Sequence, residues 1–264
     1  MTKKIAILIP ARYGSSRLPG KPLAIVRGRS LINRVWRIAM AVDGVDGVWI
    51  ATDDRRIADH AEAFGARVVM TDDTCSTGTE RAWQAVGRLP TAPDIVINLQ
   101  GDAVLTPPWV VQALVDAFRG QPDLAMATAA VRCGWAEYEA LREHKRTSPA
   151  SGTTVTFDRF QRALYFSKAI IPYLRRREDG APPPVHRHIG IYGYSVAALE
   201  QMATLAPTPL EQAEQLEQLR ALENGIPIHV AVVDYRGRTH GSVDAPADIP
   251  VIEAIIDREG ELVP

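Results

Sequence analysis

Residues 7–23 read ILIPARYGSSRLPGKPL, and this stretch decides the fold that we expect. The apolar run at 5–9 has the unbroken hydrophobicity of a strand buried in a parallel sheet. We expect the strand to break at Pro10 and to open into a loop of small residues and cations: Arg12, Gly14, Ser15, Ser16, Arg17, Gly20 and Lys21. Backbone N–H groups and cationic side chains can surround phosphates there, while glycines permit close approach. The stretch predicts a binding loop for a nucleoside triphosphate.

The loop differs from a P-loop in two respects. Five residues separate Gly14 from Gly20, where a P-loop has four, and Pro22 follows Lys21 where a P-loop has Ser or Thr. The hydroxyl that normally contacts Mg²⁺ is missing, so any metal has to be held by residues elsewhere in the chain. On composition alone, a solvated basic loop after a core strand is the alternative.

The bulk properties are those of an ordinary globular enzyme. The chain has 264 residues, 46% of them hydrophobic, with 30 basic and 31 acidic residues and a formal net charge of −1. This balance argues against a nucleic-acid-binding protein. Cys75 and Cys133 match no metal or redox spacing and fit a reducing compartment. No run has the length of a membrane span, and the first strand begins too early for a signal peptide, so we expect a cytoplasmic protein.

Strand and helix patterns alternate along most of the chain, which predicts an α/β fold with a mainly parallel mixed sheet and helices on both faces. Further predicted strands are 47–52, 67–70, 94–99, 124–132, 190–194 and 228–233, and predicted helices are 56–64, 78–88, 108–118, 211–224 and 245–258. Segments 153–157 and 163–167 predict a hairpin, and 178–185 an exposed loop. We therefore expect one domain over 1–264 with an insertion around 151–190.

Two polar clusters follow predicted strands. Gln100, Gly101 and Asp102 come directly after the strand at 94–99, and Asp244 lies between the last strand and the last helix. Ligands of open parallel sheets bind beyond the carboxyl ends of the strands. A lone Asp in such a place is usually a turn former or a helix cap. Beside a triphosphate loop, however, Asp102 and Asp244 have the chemistry to hold Mg²⁺, which takes one or two carboxylates and completes its shell with phosphate oxygens and water.

Other polar residues are ambiguous when they are considered singly. Thr77 and Glu80 have the spacing of a capping box at a helix start. His188 and Tyr192 are expected on one face of a strand. Glu217 and Gln218, on the helix predicted at 211–224, would ordinarily be surface residues.

Eight segments together resemble the bacterial 3-deoxy-manno-octulosonate cytidylyltransferase (CMP-Kdo synthetase) family, in the family's order and over nearly the whole chain. They are IPARYGSSRLPGKPL (9–23), ATDD (51–54), TGTER (77–81), NLQGD (98–102), ALYFSKAIIP (163–172), RHIGIYGY (187–194), LEQLR (216–220) and IHVAV (228–232). The resemblance implies a Rossmann-like nucleotidyltransferase fold in which the hairpin builds a sugar-side subdomain and a dimer interface. It also implies a cytoplasmic, Mg²⁺-dependent homodimer of lipopolysaccharide biosynthesis, which couples CTP to a 3-deoxy-2-ulosonic acid with release of pyrophosphate.

The resemblance also assigns roles to residues. Arg12, Lys21, Asp102 and Asp244 would be catalytic, with Asp102 and Asp244 carrying the metal. The nucleotide would contact Pro10, Ala11, Arg12, Gly14, Ser15, Lys21, Arg81 and Gln100. The anionic sugar acid would contact Gln100, Lys168, Arg175, His188, Tyr192, Glu217 and Gln218.

The chain departs from the family pattern at several places. Ala103 and Val104 follow Asp102 where the family has an acid and a proline, Ser151–Thr154 replaces a stretch that carries a Lys, Lys168 replaces the usual Arg, and SVDAP (242–246) replaces GVDTP. The acceptor is therefore open: Kdo, or another anionic acceptor such as an amino-Kdo, a different ulosonic acid or a phosphonate. A nucleotide-binding homologue without catalysis and a glycosyltransferase of related fold are further alternatives, although no DxD motif lies near a strand end.

Overall fold

The first strand, β1 (Ile5–Ala11), lies inside the main sheet, and all seven of its residues are buried. The computed structural model describes residues 3–15, 17–178 and 180–263. β1 pairs in parallel with β4 (Gly47–Thr52) on one side and with β6 (Ile95–Asn98) on the other. The other strands are β2 (Ile25–Val26), β3 (Arg29–Ser30), β5 (Arg67–Met70), β7 (Met126–Arg132), β8 (Thr154–Phe157), β9 (Ala163–Ser167), β10 (His186–Ser195) and β11 (Ile228–Val233).

The main sheet has the order β11-β7-β10-β6-β1-β4-β5. β10 is antiparallel to both of its neighbours, whereas the other neighbouring pairs along this path are parallel. The hairpin of β8 and β9 joins this sheet through pairing of β8 with β10. This topology confirms the mixed, mainly parallel sheet that the sequence predicts.

Helices cover both faces of the sheet. They are α1 (Leu31–Met40), α2 (Arg55–Ala63), α3 (Gly78–Val86), α4 (Pro108–Gly120), α5 (Trp135–Thr147), α6 (Val196–Thr204), α7 (Pro209–Glu214), α8 (Gln218–Glu223) and α9 (Asp248–Glu259). One core cluster contains the buried sides of α1, α2, α4 and α9, and the other those of α3, α6 and α8. The hairpin shares the second cluster through Val155 and Phe166.

The prediction of one helix over 211–224 is wrong. Gln215 adopts the left-handed conformation, with φ 54° and ψ 46°, and divides the segment into α7 and α8. Arg220 holds the two parts together, because its guanidinium bonds both carboxylate oxygens of Glu211, at 2.8 and 2.5 Å. The break turns successive polar residues in different directions, which matters for the site.

The predicted break of β1 at Pro10 is also wrong, since the strand continues to Ala11. The carbonyl of Leu8 accepts from Leu99 N, so the N atom of Pro10, two residues on, faces the same side. The ladder with β6 ends at Leu8 and Asn98, and no donor is needed beyond that point. A proline is therefore tolerated there.

Other differences concern missed helices and a loop. The sequence analysis did not assign α1, α5 or α6; in α5 only Leu141 is buried, so there is no apolar stripe to detect. The segment predicted at 178–185 forms no helix or strand in its described part, but Val185 is fully buried rather than exposed.

Candidate functional site

A cavity of about 310 Å³ opens beyond the carboxyl ends of β1 and β6. This nucleotide cavity, as we call it, is bounded by the loop after β1, the start of α3, the turn after β6 and the segment before α9. Its lining residues are Pro10, Ala11, Arg12, Ser15, Arg17, Lys21, Pro22, Ser76, Thr77, Gly78, Arg81, Gln100, Gly101, Asp102 and Asp244. Of the residues expected to contact a nucleotide, Gly14 is absent from this lining. Ser16 lies outside the described residues.

The loop after β1 folds back on Tyr13. The Tyr13 carbonyl accepts from the N–H groups of Ser15 and Gly20, each at 2.8 Å. Gly20 has a φ of 69°, and a Cβ atom there would approach the Tyr13 ring to 3.0 Å. Glycine therefore meets both a backbone and a packing requirement. This fold-back brings Lys21 from the far end of the loop into the cavity.

Lys21 connects the two aspartates that the sequence singled out. Its Nζ atom lies 2.6 Å from Asp102 Oδ2 and 3.4 Å from Asp244 Oδ1. The two carboxylate oxygens are thus no more than about 6 Å apart, the sum of these distances. Arg17 also pairs with Asp244, at 2.9 Å. Residues far apart in sequence converge on one charged centre, as expected.

Two close backbone arrangements place these carboxylates. Gly101 packs against the Pro10 carbonyl so closely that a Cβ atom would lie 2.9 Å from its oxygen. At the other side, the Asp248 carboxylate accepts from the N–H groups of Asp244 and Ala245, each at 2.8 Å. Ala103 and Val104, where the family has an acid, are buried in the core. The residues beside Asp102 therefore contribute packing and no third carboxylate.

The donor set fits a hard divalent cation. Asp102 and Asp244 offer carboxylate oxygens on one centre, which already holds the Lys21 ammonium ion. Within the described residues there is no group of three or more His, Cys, Asp or Glu side chains that could hold a metal. A cation at this place would need further ligands from a bound molecule or water, which is how Mg²⁺ is commonly bound beside phosphates.

Arg81, on α3, is nearly fully buried and already paired. Its Nη1 atom lies 2.9 Å from Asp53 Oδ1 and 2.5 Å from Thr71 Oγ1. Asp53 belongs to the ATDD segment, whose function the sequence analysis left open. Arg12 reaches the same side of the cavity and bonds the Ser76 carbonyl at 3.3 Å. The pairing with Asp53 fixes the Arg81 guanidinium at the cavity wall.

A second polar cluster lies on the sheet face that α3 and α8 cover. His188 Nε2 is 2.9 Å from Thr128 Oγ1, and its ring packs between those of Phe166 and Tyr192. Burial, with smaller effects of the charges of His240 and Lys168, lowers the pKa of His188 to about 3. Burial also raises the pKa of Tyr192 well above its ordinary value. His188 is therefore neutral and Tyr192 protonated at neutral pH.

The α7–α8 break supplies the remaining members of this second cluster. Glu217 Oε2 accepts from Thr79 Oγ1 at 3.0 Å, while its Oε1 atom is buried without a hydrogen-bond partner. Desolvation raises the pKa of Glu217. Gln218 is buried, and its Nε2 atom also has no partner. Unpaired buried polar atoms call for an explanation, and a polar ligand or ordered water provides one. Thr79 follows Gly78, so the second cluster adjoins the nucleotide cavity.

Lys168 and Arg175 differ in position. Lys168 is half-buried at the end of β9, and its charge is felt at His188. Arg175 is exposed and lines a separate cavity of about 300 Å³ with Trp135, Tyr173 and a run of prolines. The structure therefore does not bring Arg175 to the nucleotide cavity, against the expectation that it shares a site with Gln100.

Comparison with known proteins gives this arrangement a family. A model of a cytidylyltransferase family matches residues 6–228. The 3-deoxy-manno-octulosonate cytidylyltransferase of Maricaulis maris is 54% identical over 259 residues, which cover 98% of this chain and 99% of that protein. The chain belongs to the cytidylyltransferase family.

Other relatives of this cytidylyltransferase carry two acceptor names. The 3-deoxy-manno-octulosonate cytidylyltransferase of Myxococcus xanthus is 43% identical over 96% of each chain. An 8-amino-3,8-dideoxy-manno-octulosonate cytidylyltransferase of Shewanella loihica is 41% identical, over 95% of this chain and 97% of that protein. A solved structure of CMP:2-keto-3-deoxy-manno-octonic acid synthetase complexed with CTP superposes with a TM-score of 0.84 at 37% identity, covering 97% of this chain and 99% of the other.

Sequence reasoning missed three contributors to the cytidylyltransferase site. Arg17 was noted only as a loop cation, but it pairs with Asp244. Asp53 and Thr79 received no role, although they hold Arg81 and Glu217. The segments ATDD and TGTER carried the signal, but only the fold shows which residues they contact. No helix in the described part of the chain is long and apolar enough to cross a membrane.

Proposed function

We propose that the protein couples CTP to a 3-deoxy-2-ulosonic acid, giving a CMP-sugar and pyrophosphate. The observation that carries the proposal is the convergence of Asp102 and Asp244 on Lys21 inside a cavity that Arg12 and Arg17 also line. Cations for a triphosphate and oxygens for its metal lie in one place. The names of the relatives in Maricaulis and Myxococcus supply the substrate class.

In this proposal, the nucleotide takes over charges that now pair within the protein. Lys21 and Arg12 bind phosphate oxygens, and the Gly101 turn keeps the wall of the cavity close to the β1 backbone. Asp102 and Asp244 would hold Mg²⁺, which neutralises charge that develops on the α-phosphate. The anomeric hydroxyl loses its proton and attacks the α-phosphorus, and pyrophosphate departs. Fixed cations stabilise the developing charge without reorganising, so positioning supplies most of the catalysis.

The second cluster is the proposed acceptor site. The Lys168 ammonium would meet the acceptor carboxylate, and neutral His188, protonated Tyr192, Gln218 and Glu217 would bond its hydroxyls. Gln100 lines the nucleotide cavity beside Gly78, where a Cβ atom would lie 3.0 Å from its Oε1 atom, and lies between the two ligands in this proposal. Arg175 would contribute only if its loop moved towards the cluster.

A second acceptor is an 8-amino ulosonic acid, because the relative from Shewanella is named for it. We favour Kdo since the relative named for it in Maricaulis is more similar, at 54% against 41% identity. Retention of both aspartates and of Lys21 favours an active enzyme over a non-catalytic homologue, because loss of catalysis would first release these residues from constraint.

The test is a matrix of the four nucleoside triphosphates against Kdo, 8-amino-Kdo, another ulosonic acid, a phosphonate and a neutral hexose, each with and without Mg²⁺. We expect pyrophosphate release with CTP, Mg²⁺ and Kdo, and a product whose mass equals that of CMP-Kdo. Asp102→Asn is the inactive control. Equal release with a neutral sugar, or none with any ulosonic acid, contradicts the proposal.

The family resemblance supports further proposals: one catalytic domain, a Mg²⁺-dependent homodimer, a cytoplasmic location and a place in lipopolysaccharide synthesis. Analytical ultracentrifugation at micromolar concentration tests the dimer, and a titration of activity with Mg²⁺ and EDTA tests the metal.

A further inference from the structure

The main chain of Lys168 is held from one side by Glu214, the last residue of α7. Glu214 Oε2 accepts from the Lys168 N–H at 2.7 Å, and Glu214 Oε1 accepts from the Ser167 hydroxyl at 2.7 Å. Both bonds go to an ionisable carboxylate and are therefore stronger than neutral ones. Glu214 thus fixes the point at which the chain leaves β9.

Lys145, in the last turn of α5, holds the same residue from the other side. Its Nζ atom donates to the Lys168 carbonyl at 2.5 Å, the Ser151 carbonyl at 2.5 Å and the Gly152 carbonyl at 2.7 Å. A fourth carbonyl, that of Pro149, is farther away at 3.4 Å. An ammonium ion has three hydrogens, so these carbonyls use all of its donors. Lys145 has no donor left for a ligand, and its contacts serve to fix the backbone.

The Lys168 side chain contrasts with its clamped backbone. Among the described residues, no side-chain or main-chain acceptor is within hydrogen-bond or ion-pair distance of its Nζ atom. The neighbouring Thr154 braces the chain beyond it, because Thr154 Oγ1 donates to the Ala169 carbonyl at 2.8 Å and accepts from Ile171 N at 3.0 Å. An unpaired cation on a fixed backbone is poised to bind an anion.

We infer that Lys145 and Glu214 are positioning residues that hold the Lys168 main chain from both sides, so that its ammonium ion is presented to the carboxylate of the acceptor. The inference rests on the proposed function, because it takes an anionic acceptor beside Lys168 as given. A recognition group gains affinity when its backbone is fixed before binding, since less freedom is lost in the complex.

The test is a set of variants measured with both substrates varied. Lys145→Met keeps the length of the side chain and removes its donors. We expect it to raise the acceptor KM about tenfold, with the CTP KM within about twofold of wild type. Lys145→Arg keeps the charge and can still donate to two carbonyls, so it should recover part of the loss. Arg146→Met is the matched control, because Arg146 is the next residue and pairs only with exposed Glu143.

A double-mutant cycle with Lys168→Met makes the test specific. If Lys145 acts through Lys168, Lys145→Met should add less than about twofold to the acceptor KM once Lys168 is replaced. An unchanged acceptor KM, an equal rise in both KM values, or a full additional effect in the Lys168→Met background each overturns the inference. Should Lys145→Met not fold, Glu214→Ala removes the other half of the clamp, and the same criteria apply to it.

The same experiment separates the two levels of the argument. If wild type and Arg146→Met turn over no ulosonic acid, the proposed function fails and the inference fails with it. If both are active but Lys145→Met and Glu214→Ala show no selective change in acceptor KM, only the positioning role is overturned.

Discussion

The nucleotide cavity and the acceptor cluster are prepared for ligands in opposite ways. In the nucleotide cavity the charges already compensate one another, with Lys21 on Asp102 and Asp244, and Arg17 on Asp244. In the acceptor cluster the main groups are neutral, His188 and Tyr192, and the nearby Lys168 charge is unpaired. A triphosphate with its metal must therefore exchange partners with existing ion pairs, whereas the acceptor meets groups that already have their final charge.

The largest effect expected on this comparison comes from the two aspartates. Asp102→Asn and Asp244→Asn should each lower kcat about 10³-fold or more, because an amide is a poor Mg²⁺ ligand and the metal stabilises charge in the transition state. Both side chains are partly exposed, at 28% and 43%, so the fold should be retained. Initial rates against Mg²⁺ concentration and a thermal melt check this.

Asp116→Asn is the matched control for the aspartate variants, because Asp116 is exposed on α4, away from the cavity lining. An Asp102→Asn enzyme with normal Mg²⁺ dependence would show that the charged centre has another purpose.

The next effect concerns the loop cations. Lys21→Ala and Arg12→Ala should each lower turnover about 10²-fold, since each removes a charge-assisted contact to the phosphates. Lys21→Ala also leaves Asp102 and Asp244 without their shared cation. Pyrophosphate release is the measurement. Near-wild-type rates in both variants would rule out the nucleotide assignment.

Glu217 sharpens the acceptor half of the comparison. Because burial raises its pKa, the ionised carboxylate opposes folding above that pKa, and Glu217→Gln should increase the free energy of unfolding at pH 8. The Gln side chain can still accept from Thr79. We expect the acceptor KM to rise about tenfold at the same time, because a strong hydrogen-bond acceptor for sugar hydroxyls is lost.

Urea unfolding and acceptor kinetics test the Glu217 prediction, with Glu223→Gln, exposed on the same helix, as the control. A Glu217→Gln protein that is less stable but binds the acceptor normally would assign Glu217 to structure alone.

The smallest expected effect is a pH dependence of stability. His188 and His240 have pKa values lowered from 6.5 to about 3 and about 4, chiefly by burial. The unfolded chain protonates both below about pH 6.5, while the folded chain stays neutral until about pH 4. Stability should therefore fall as pH decreases through this window, by at most about 1.4 kcal/mol per pH unit for each histidine.

Urea unfolding at pH 7.5, 6.0 and 5.0 measures this slope. His240→Asn should reduce it, and His144→Gln, at an exposed histidine, should not. A stability that increases towards pH 5 would contradict the neutral, buried state of these rings.

The two regions also differ in how well the sequence predicts them. The nucleotide cavity is encoded largely in one contiguous loop, so the motif at 9–23 identifies most of its members. The acceptor cluster depends on the strand register that places His188 near Thr128, and on the left-handed Gln215, which no helical pattern reveals. The pairs Arg81–Asp53 and Lys145–Lys168 join segments that only the tertiary fold brings together.

The fold was predictable for a similar reason. Buried parallel strands are continuous apolar runs, which are visible in the sequence one at a time. Helix α5 escaped because it buries little but Leu141, and β10 proved longer than its apolar portion at 190–194 because its first residues contribute polar side chains to the site.

The most direct test of two differently prepared halves is a pair of KM values, for CTP and for Kdo, measured on Lys21→Ala and Lys168→Met with both substrates varied. We predict that Lys21→Ala raises the CTP KM at least about tenfold and changes the Kdo KM less than about threefold, and that Lys168→Met does the reverse. If Lys168→Met weakens CTP binding and leaves the Kdo KM unchanged, the assignment of the two halves is contradicted.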